Sequence, residues 1–438
     1  MKLNKDGFIY QSVHTLFTRG LNIILVFAGG IVSARLLGPE GKGTVAFLQA
    51  LPLMIQPLGE LGIRQSAAYL MGQKKHDDQK IYQNIQAIYC VTSILCLLLL
   101  SGVYFFLGLF RKYGTALCWL YLASVPLVLF QSYQSGILIA KKQIQRINYI
   151  QLLDKIGIFV LLIVFLGAVH WGVMGVGLGN LLTKAAGCVL LMLWLKDYLY
   201  FKPRWTYEIF RQLITKGFLF AAALFVIQLN YRFDVLMLER LRNEYSVGIY
   251  SVGVNICEIL KEVPLALGLV LFSRSANWNL TSTQDSLVKT IFLCRCIFNL
   301  MIVLALGLGF IGQFFIPIFY GDAFRESIPV IWMLLPGVVM LSIFLILSLF
   351  AAGQGMPQLS IYAFLPALFL NIALNFYFIP KWNYLGAALC SSVSYSAAAL
   401  FYAFLFKRIY KVRMAEIFFL SQKDLSHFRN LFQKVQTA

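Results

Sequence analysis

Charged residues are scarce in this sequence: they make up 13% of its 438 residues, against 60% hydrophobic ones, and the mean hydropathy is +0.76. An ordinary soluble domain has about a quarter of its residues charged, so that class is excluded and a polytopic membrane protein remains. Acidic residues are scarcer still, 18 against 37 basic ones, for a net charge of +19. In a soluble chain that excess would raise nucleic acid as a partner. Here it gathers at the ends of apolar runs, where membrane topology accounts for it, and no nucleic-acid partner is expected. Histidine is limited to four residues and no HExxH occurs; the eight cysteines show no CxxC and all fall in apolar runs. They read as small core residues, not as metal ligands. Ser, His and Asp form no recognisable triad pattern. No metal, cofactor or enzyme activity is expected.

Long apolar runs are what the chain does have. Twelve of helix-spanning length lie at residues 12–37, 44–71, 81–109, 114–140, 150–169, 173–195, 211–240, 246–273, 287–316, 327–352, 358–379 and 385–406. The basic opening MKLNKDGFIYQ leads into the first without a small-x-small cleavage site, so that helix is read as retained. Lys and Arg in the connections set the orientation. With the N-terminus inside, twenty-four fall on the cytoplasmic side, Lys155 among them, and eight outside, including Lys42 and Lys112. Both termini are therefore expected in the cytoplasm.

A faint repeat divides the chain. LGPEGKGTVAF from Leu37 resembles LRNEYSVGIYS from Leu241, and two further pairs recur in the same order at a similar spacing. The expected fold is an all-α integral membrane protein, with twelve transmembrane helices in two pseudo-symmetric six-helix lobes around a central cavity. Its parts are an N-terminal lobe over 1–196, a cytoplasmic connector over 197–210, a C-terminal lobe over 211–408 and a tail over 409–438. Ile417, Leu420, Phe428, Leu431, Phe432 and Val435 recur near helical spacing with basic residues between them. The tail thus reads as a basic amphipathic helix on the inner leaflet.

Five cations sit inside the apolar runs: Arg19, Arg64, Lys184, Arg232 and Lys261. A lysine or arginine at the bilayer centre costs about 2.5 to 3.5 kcal/mol on insertion scales, so such charges normally face a water-filled cavity or an anion. These five are the candidate substrate-binding residues, for something negatively charged. Glu60 and Arg64 stand one helical turn apart and are placed to pair along one face. Arg232 and Asp234, two apart, point in different directions. Glu258, Lys261 and Glu262 stack on one helix ahead of Pro264, which frees a backbone carbonyl. Lys184 is isolated among small residues and either snorkels or meets an acid from another helix. Glu60, Asp234 and Glu258 are the candidates for coupling to an ion. Gly175 and Gly179 form a small-xxx-small face suited to close helix packing, not a dinucleotide loop.

The opening run resembles that of Wzx-type polysaccharide flippases, members of the multidrug/oligosaccharidyl-lipid/polysaccharide exporter superfamily. The residues that carry the likeness are ARLLGPEGKGTVAF from Ala34, GELGI from Gly59, FYGDAFRESIPVIWMLLPG from Phe319 and AAGQGMPQ from Ala351. The resemblance implies a flippase of the bacterial cytoplasmic membrane. Its cargo would be a polyprenyl-pyrophosphate-linked oligosaccharide moved from the inner to the outer leaflet for O antigen, capsule or another surface glycan. Arg19 matches a first-helix arginine of related lipid flippases. The implied partners are that lipid-linked glycan, membrane lipid, a proton or sodium ion, and polysaccharide assembly proteins. Gln228, Asn230, Tyr231 and Asn255 offer sugar-binding groups at cavity depth. Two alternatives stand beside this reading. One is a multidrug exporter of the same fold, which acids and aromatics would suit better than cations; the other is a membrane glycan polymerase or ligase, which would be expected to carry a sizeable outer loop.

Overall fold

A computed structural model of the chain describes residues 8–73, 75–141, 143–196, 204–275 and 283–419, with side chains at all of these except 8–17, 269–275 and 283–285. It is all-helical among the described residues. In chain order the helices are α1 (Phe8–Glu60), α2 (Ile63–Gln73), α3 (Asp78–Phe106), α4 (Leu109–Tyr113), α5 (Thr115–Ala140), α6 (Ile144–Leu162), α7 (Gly172–Trp194), α8 (Tyr207–Leu241), α9 (Glu244–Ser275), α10 (Thr283–Phe315), α11 (Ser327–Gly353), α12 (Gln358–Tyr410) and α13 (Met414–Phe418). Single π-helical turns extend α6 over Ile163–Ala168 and α10 over Ile316–Tyr320.

Nine spans among the described residues are long and apolar enough to cross a membrane. Two of them are double. α1 breaks at Gly38, at φ 67°, where a residue without Cβ enters the left-handed region and Pro39 opens the next helical stretch. α12 breaks at Asn383, at φ 52°, a conformation that asparagine tolerates better than most residues. α9 escapes the apolar count because it carries Glu258, Lys261 and Glu262. Dividing the two and adding the third yields the twelve expected helices, and the chain is a multi-pass membrane protein.

The second of these twelve is not continuous, contrary to expectation. Leu61 (φ 48°) and Gly62 (φ 64°) interrupt it between Glu60 and Ile63. Gly62 lies directly against the backbone of Gly217 on α8, where a Cβ on either residue would overlap the other's main chain. The close approach needs glycine on both sides, and the helix gives up a turn to reach it.

The chain divides into two compact units, one of residues 1–239 with 243–251 and the other of 240–242 with 252–438. In the first, α5 packs on α2 and α7, and α6 packs on α1 and α7. Gly175 and Gly179 of α7 meet Phe165, Ile158 and Leu161, which bears out their reading as a packing face. The two segments matched as a repeat also touch: Gly43 abuts the main chain of Glu244 and Gly248, and Gly248 abuts Pro39. In the second unit, α11 is apolar all round and buried between α10 and α12. Gly337 meets Ser392 there, whose Oγ accepts from the Gly337 N–H at 2.8 Å. α9 runs as one helix through Pro264.

Of the tail, only the first turn lies within the described residues. Ile417 is fully buried, the Phe418 ring stands edge-on to Phe298 of α10, and its carbonyl accepts from Asn299 at 3.1 Å. That turn docks on protein. Residues 420–438, and 197–203 of the connector, are outside the described part. Six of the eight cysteines are buried, Cys296 is half-buried and Cys90 is exposed.

Candidate functional site

Within the first unit lies a cavity of about 350 Å³ walled by four helices. Gln49, Pro52, Leu53 and Gln56 come from α1, and Tyr121, Ser124, Val125 and Val128 from α5. Both sets recur at i, i+3, i+4 and i+7, so each is one face of one helix. Lys155 comes from α6, while Asn180 and Lys184 come from one face of α7. A polar hollow in an otherwise apolar bundle is the kind of place where intramembrane charge is tolerated.

Two lysines set its electrostatics. Lys184 Nζ stands 2.5 Å from Asp154 Oδ2, with side-chain exposures of 22% and 8%. Gln131 ties the pair down: its Oε1 accepts from Lys184 Nζ at 3.4 Å, and its Nε2 donates to the Lys184 carbonyl at 3.1 Å. Gly187 leaves the room that Gln131 occupies, since a Cβ there would overlap the amide. Lys155 forms no ion pair within 4.0 Å among the described residues. Two cations therefore line the cavity, and two carboxylates adjoin lining side chains, Asp154 on Lys184 and Glu60 on Gln56. Tyr121 is 1% exposed, and its hydroxyl has no hydrogen-bond partner among the described residues.

Of the five cations expected to bind substrate, only Lys184 lines this cavity, and the acid it meets is Asp154. Arg19 is half-buried on α1. Arg64 is half-buried at the start of α2, and the break at Leu61 and Gly62 separates it from Glu60. Among the described residues these two form no ion pair, which corrects the expectation that they pair along one face: the turn that would align them is absent. Glu60 instead accepts from Gln56 at 2.7 Å, which joins it to a cavity side chain. Arg232 is half-buried on α8, whereas Asp234 is fully buried, accepting from the Tyr250 hydroxyl and from the Val235 N–H at 3.0 Å. Lys261 pairs with Glu258 at 2.9 Å along α9, as the spacing implied. Of the expected sugar-binding groups, Asn230 is fully buried and Asn255 is exposed.

Two cations assigned to connections belong elsewhere. Lys155, counted with the cytoplasmic residues, lies in the fourth turn of α6, which begins at Ile144 and not near 150. The polar stretch IQRINYIQ hid that start. Lys42, counted outside, is 7% exposed and donates to Ser33 Oγ at 2.7 Å across the Gly38 break.

A second polar cluster surrounds α4. Lys112 Nζ lies 2.5 Å from Glu239 and 2.7 Å from Glu244, and the Tyr113 hydroxyl, with one proton to donate, lies between the two carboxylates at 2.9 and 3.0 Å. For Glu244, partial burial pushes the carboxyl up, but the Lys112 and Tyr113 hydrogen bonds outweigh it and leave the pKa below its usual value. For Lys112 desolvation works downward, and the two carboxylates more than reverse it. Among the described residues no three His, Cys, Asp or Glu gather in a metal-holding group.

The sequence matches the family described as polysaccharide biosynthesis protein over residues 5–272. Solved structures of similar fold include an inward-facing MATE family multidrug resistance transporter of the MOP superfamily, with TM-score 0.72 and 15% identity, covering 93% of this chain and 98% of that one. The lipid II flippase MurJ in an inward closed conformation gives TM-score 0.70 and 16% identity, over 91% and 87%. A mutant MATE transporter of Vibrio cholerae gives 0.67 and 12%, over 92% and 97%. No curated protein gives a match in sequence. At such identities the structural likeness is one of fold, the twelve-helix, two-lobe fold, and the neighbours carrying it are transporters and a flippase, not enzymes. Because the family match takes in more than half of its length, the chain belongs to the polysaccharide biosynthesis protein family of multi-pass membrane proteins.

Proposed function

We propose that this protein is a flippase that carries a polyprenyl-pyrophosphate-linked oligosaccharide from the inner to the outer leaflet of a bacterial cytoplasmic membrane, for surface polysaccharide assembly. The observation that carries the reading is a cavity lined by two lysines, Lys155 and Lys184, inside a bundle that is otherwise apolar. A pyrophosphate is multiply charged and very costly to move through hydrocarbon alone. Guanidinium and ammonium groups within the membrane offset that cost by charge-assisted hydrogen bonds. In this proposal Arg19, Arg64, Lys184, Arg232 and Lys261 guide the headgroup, the polyprenyl tail stays in lipid, and two lobes joined by the 197–210 connector alternate in access. Both termini are cytoplasmic. Glu60, Asp234 and Glu258 are the groups through which a proton or sodium ion would couple. A cationic-drug exporter is the lesser reading, because the charged side chains that line the cavity are lysines, the wrong sign for such cargo.

The test is flipping of a fluorescent pyrophosphate-linked glycan by the full chain in proteoliposomes. Arg232→Ala and Lys261→Ala should each stop flipping while insertion is unchanged. Arg232→Lys should keep part of it if charge alone matters and little if bidentate geometry matters. Full flipping with both cations removed refutes their assignment, and efflux of cationic dyes without any glycan movement refutes the function.

A further inference from the structure

Beyond the break at Asn383, α12 carries one stripe of large apolar residues. Val393, Leu400 and Phe404 recur at near-whole turns and are exposed, and the Phe401 ring stacks on Phe404 at 6.5 Å. From Val393 to Phe404 the helix rises about 16 Å, close to the depth of one leaflet of hydrocarbon. Within the next turn the stripe changes character. Lys407 and Arg408 follow Phe404 at i+3 and i+4, and Lys411 at i+7. These three and Arg413 are exposed, and none of the four forms an ion pair among the described residues; the one carboxylate in residues 401–419 is Glu416. By contrast, Lys141 at the end of α5 has an acid, Asp78, 3.8 Å away.

The packing of this end holds the charges in place. Phe406 and Tyr410 lie against Phe350 of α11. Lys411 turns the chain in the left-handed region, at φ 55°, and Val412 and Ile417 are buried on either side of Arg413 in the chain. The Arg408 guanidinium lies over the Phe404 ring at 4.9 Å, where the apolar stripe meets the charge. The ring takes one face of the guanidinium and leaves its N–H edges for an oxyanion.

We propose that this end of α12, with the turn into α13, holds an anionic phospholipid of the inner leaflet, its acyl chains along the stripe and its phosphate on Lys407, Arg408, Lys411 and Arg413. The inference rests on the orientation proposed above, with the C-terminus in the cytoplasm, and not on the cargo. A free phosphate would leave the stripe unused, and a zwitterionic headgroup brings no net charge; an anionic phospholipid meets both parts. Basic residues clustered just inside a membrane helix draw anionic lipid by about fivefold in affinity each.

Titration of the purified full chain in neutral detergent with dioleoylphosphatidylglycerol and with dioleoylphosphatidylcholine, followed by native mass spectrometry, tests this. The anionic lipid should bind about tenfold or more tightly than the zwitterionic one. Arg408→Gln should weaken it about fivefold, and joint replacement of Lys407, Arg408, Lys411 and Arg413 by Gln should abolish the preference. Joint replacement of Lys75, Lys80, Lys196 and Arg211, four exposed cations elsewhere on the same side, should leave it intact. Equal affinities for the two lipids overturn the proposal, as does a preference lost equally in both quadruple variants, which would mark a general effect of basic helix ends. Displacement of the lipid by inorganic phosphate overturns the phospholipid assignment, and cleavage of a C-terminal tag by protease outside right-side-out vesicles overturns the inner leaflet. None of these readouts involves flipping, so the transport reading stands or falls separately in the proteoliposome assay.

Discussion

Replacing Asp154 by Asn keeps the shape of the side chain and removes the carboxylate that pairs with Lys184. Its expected magnitude follows from how the pair is buried. Breaking a fully buried ion pair costs about 3–5 kcal/mol, and an exposed pair contributes about 0–1 kcal/mol. Asp154 is 8% exposed and Lys184 is 22% exposed beside a cavity that admits water, and Gln131 Oε1 still accepts from Lys184 at 3.4 Å. The loss should therefore fall between these limits, near about 2 kcal/mol. Lys184→Met should cost a similar amount, because it leaves the buried Asp154 carboxylate with the Gln131 amide at 3.5 Å in place of its ion-pair partner. The double variant should be more stable than the sum of the single losses implies, since it leaves no unbalanced member of the pair. Reversible unfolding of the full chain in mixed micelles, followed by tryptophan fluorescence, measures all three. Strictly additive losses, or a change within about 0.5 kcal/mol for Asp154→Asn, would refute the view that this pair is coupled and that the cavity's charge is balanced through it.

Two further outcomes follow from the geometry. Gly43→Ala should destabilise by at least the 1–3 kcal/mol typical of overpacking, because its Cβ would meet the Glu244 main chain and not a side chain that can turn away; thermal unfolding in detergent reads this, and an unchanged midpoint refutes the close packing. The α4 cluster should give a broad plateau of stability against pH. Glu244, lowered in the folded state, contributes fully above its unfolded pKa near 4.5, and its share is lost as pH falls through the folded value. Lys112, raised, contributes fully below 10.5, and its share is lost as pH rises through the folded value. Lys112 is 44% exposed, so each contact is screened to about 1 kcal/mol or less. Lys112→Met should lower the plateau and flatten the acid limb, and an identical pH profile would contradict the cluster.

The relation between sequence and site is clearest at α6. Asp154 and Lys155 stand side by side in the chain, yet only the fold decides that one pairs with Lys184, thirty residues on, while the other lines the cavity. Hydropathy could not show this, because the polar residues of the first turns of α6 looked like a loop and moved Lys155 out of the membrane on paper. Similarly, i,i+4 spacing placed Glu60 beside Arg64, but the positive φ of Leu61 and Gly62 serves packing on Gly217, a contact 155 residues away that no local pattern reveals. The Lys261–Glu258 pair was legible, because its geometry is set within a single helix.

Composition and the lengths of the apolar runs determined on their own that this is a membrane protein of twelve helices, because backbone satisfaction in lipid leaves a long apolar segment little choice but helix. The tertiary structure alone decided which charges on different helices neutralise one another. That depends on distances of a few ångströms between helices remote in sequence, set by glycine contacts and helix breaks, and a one-dimensional pattern does not contain them.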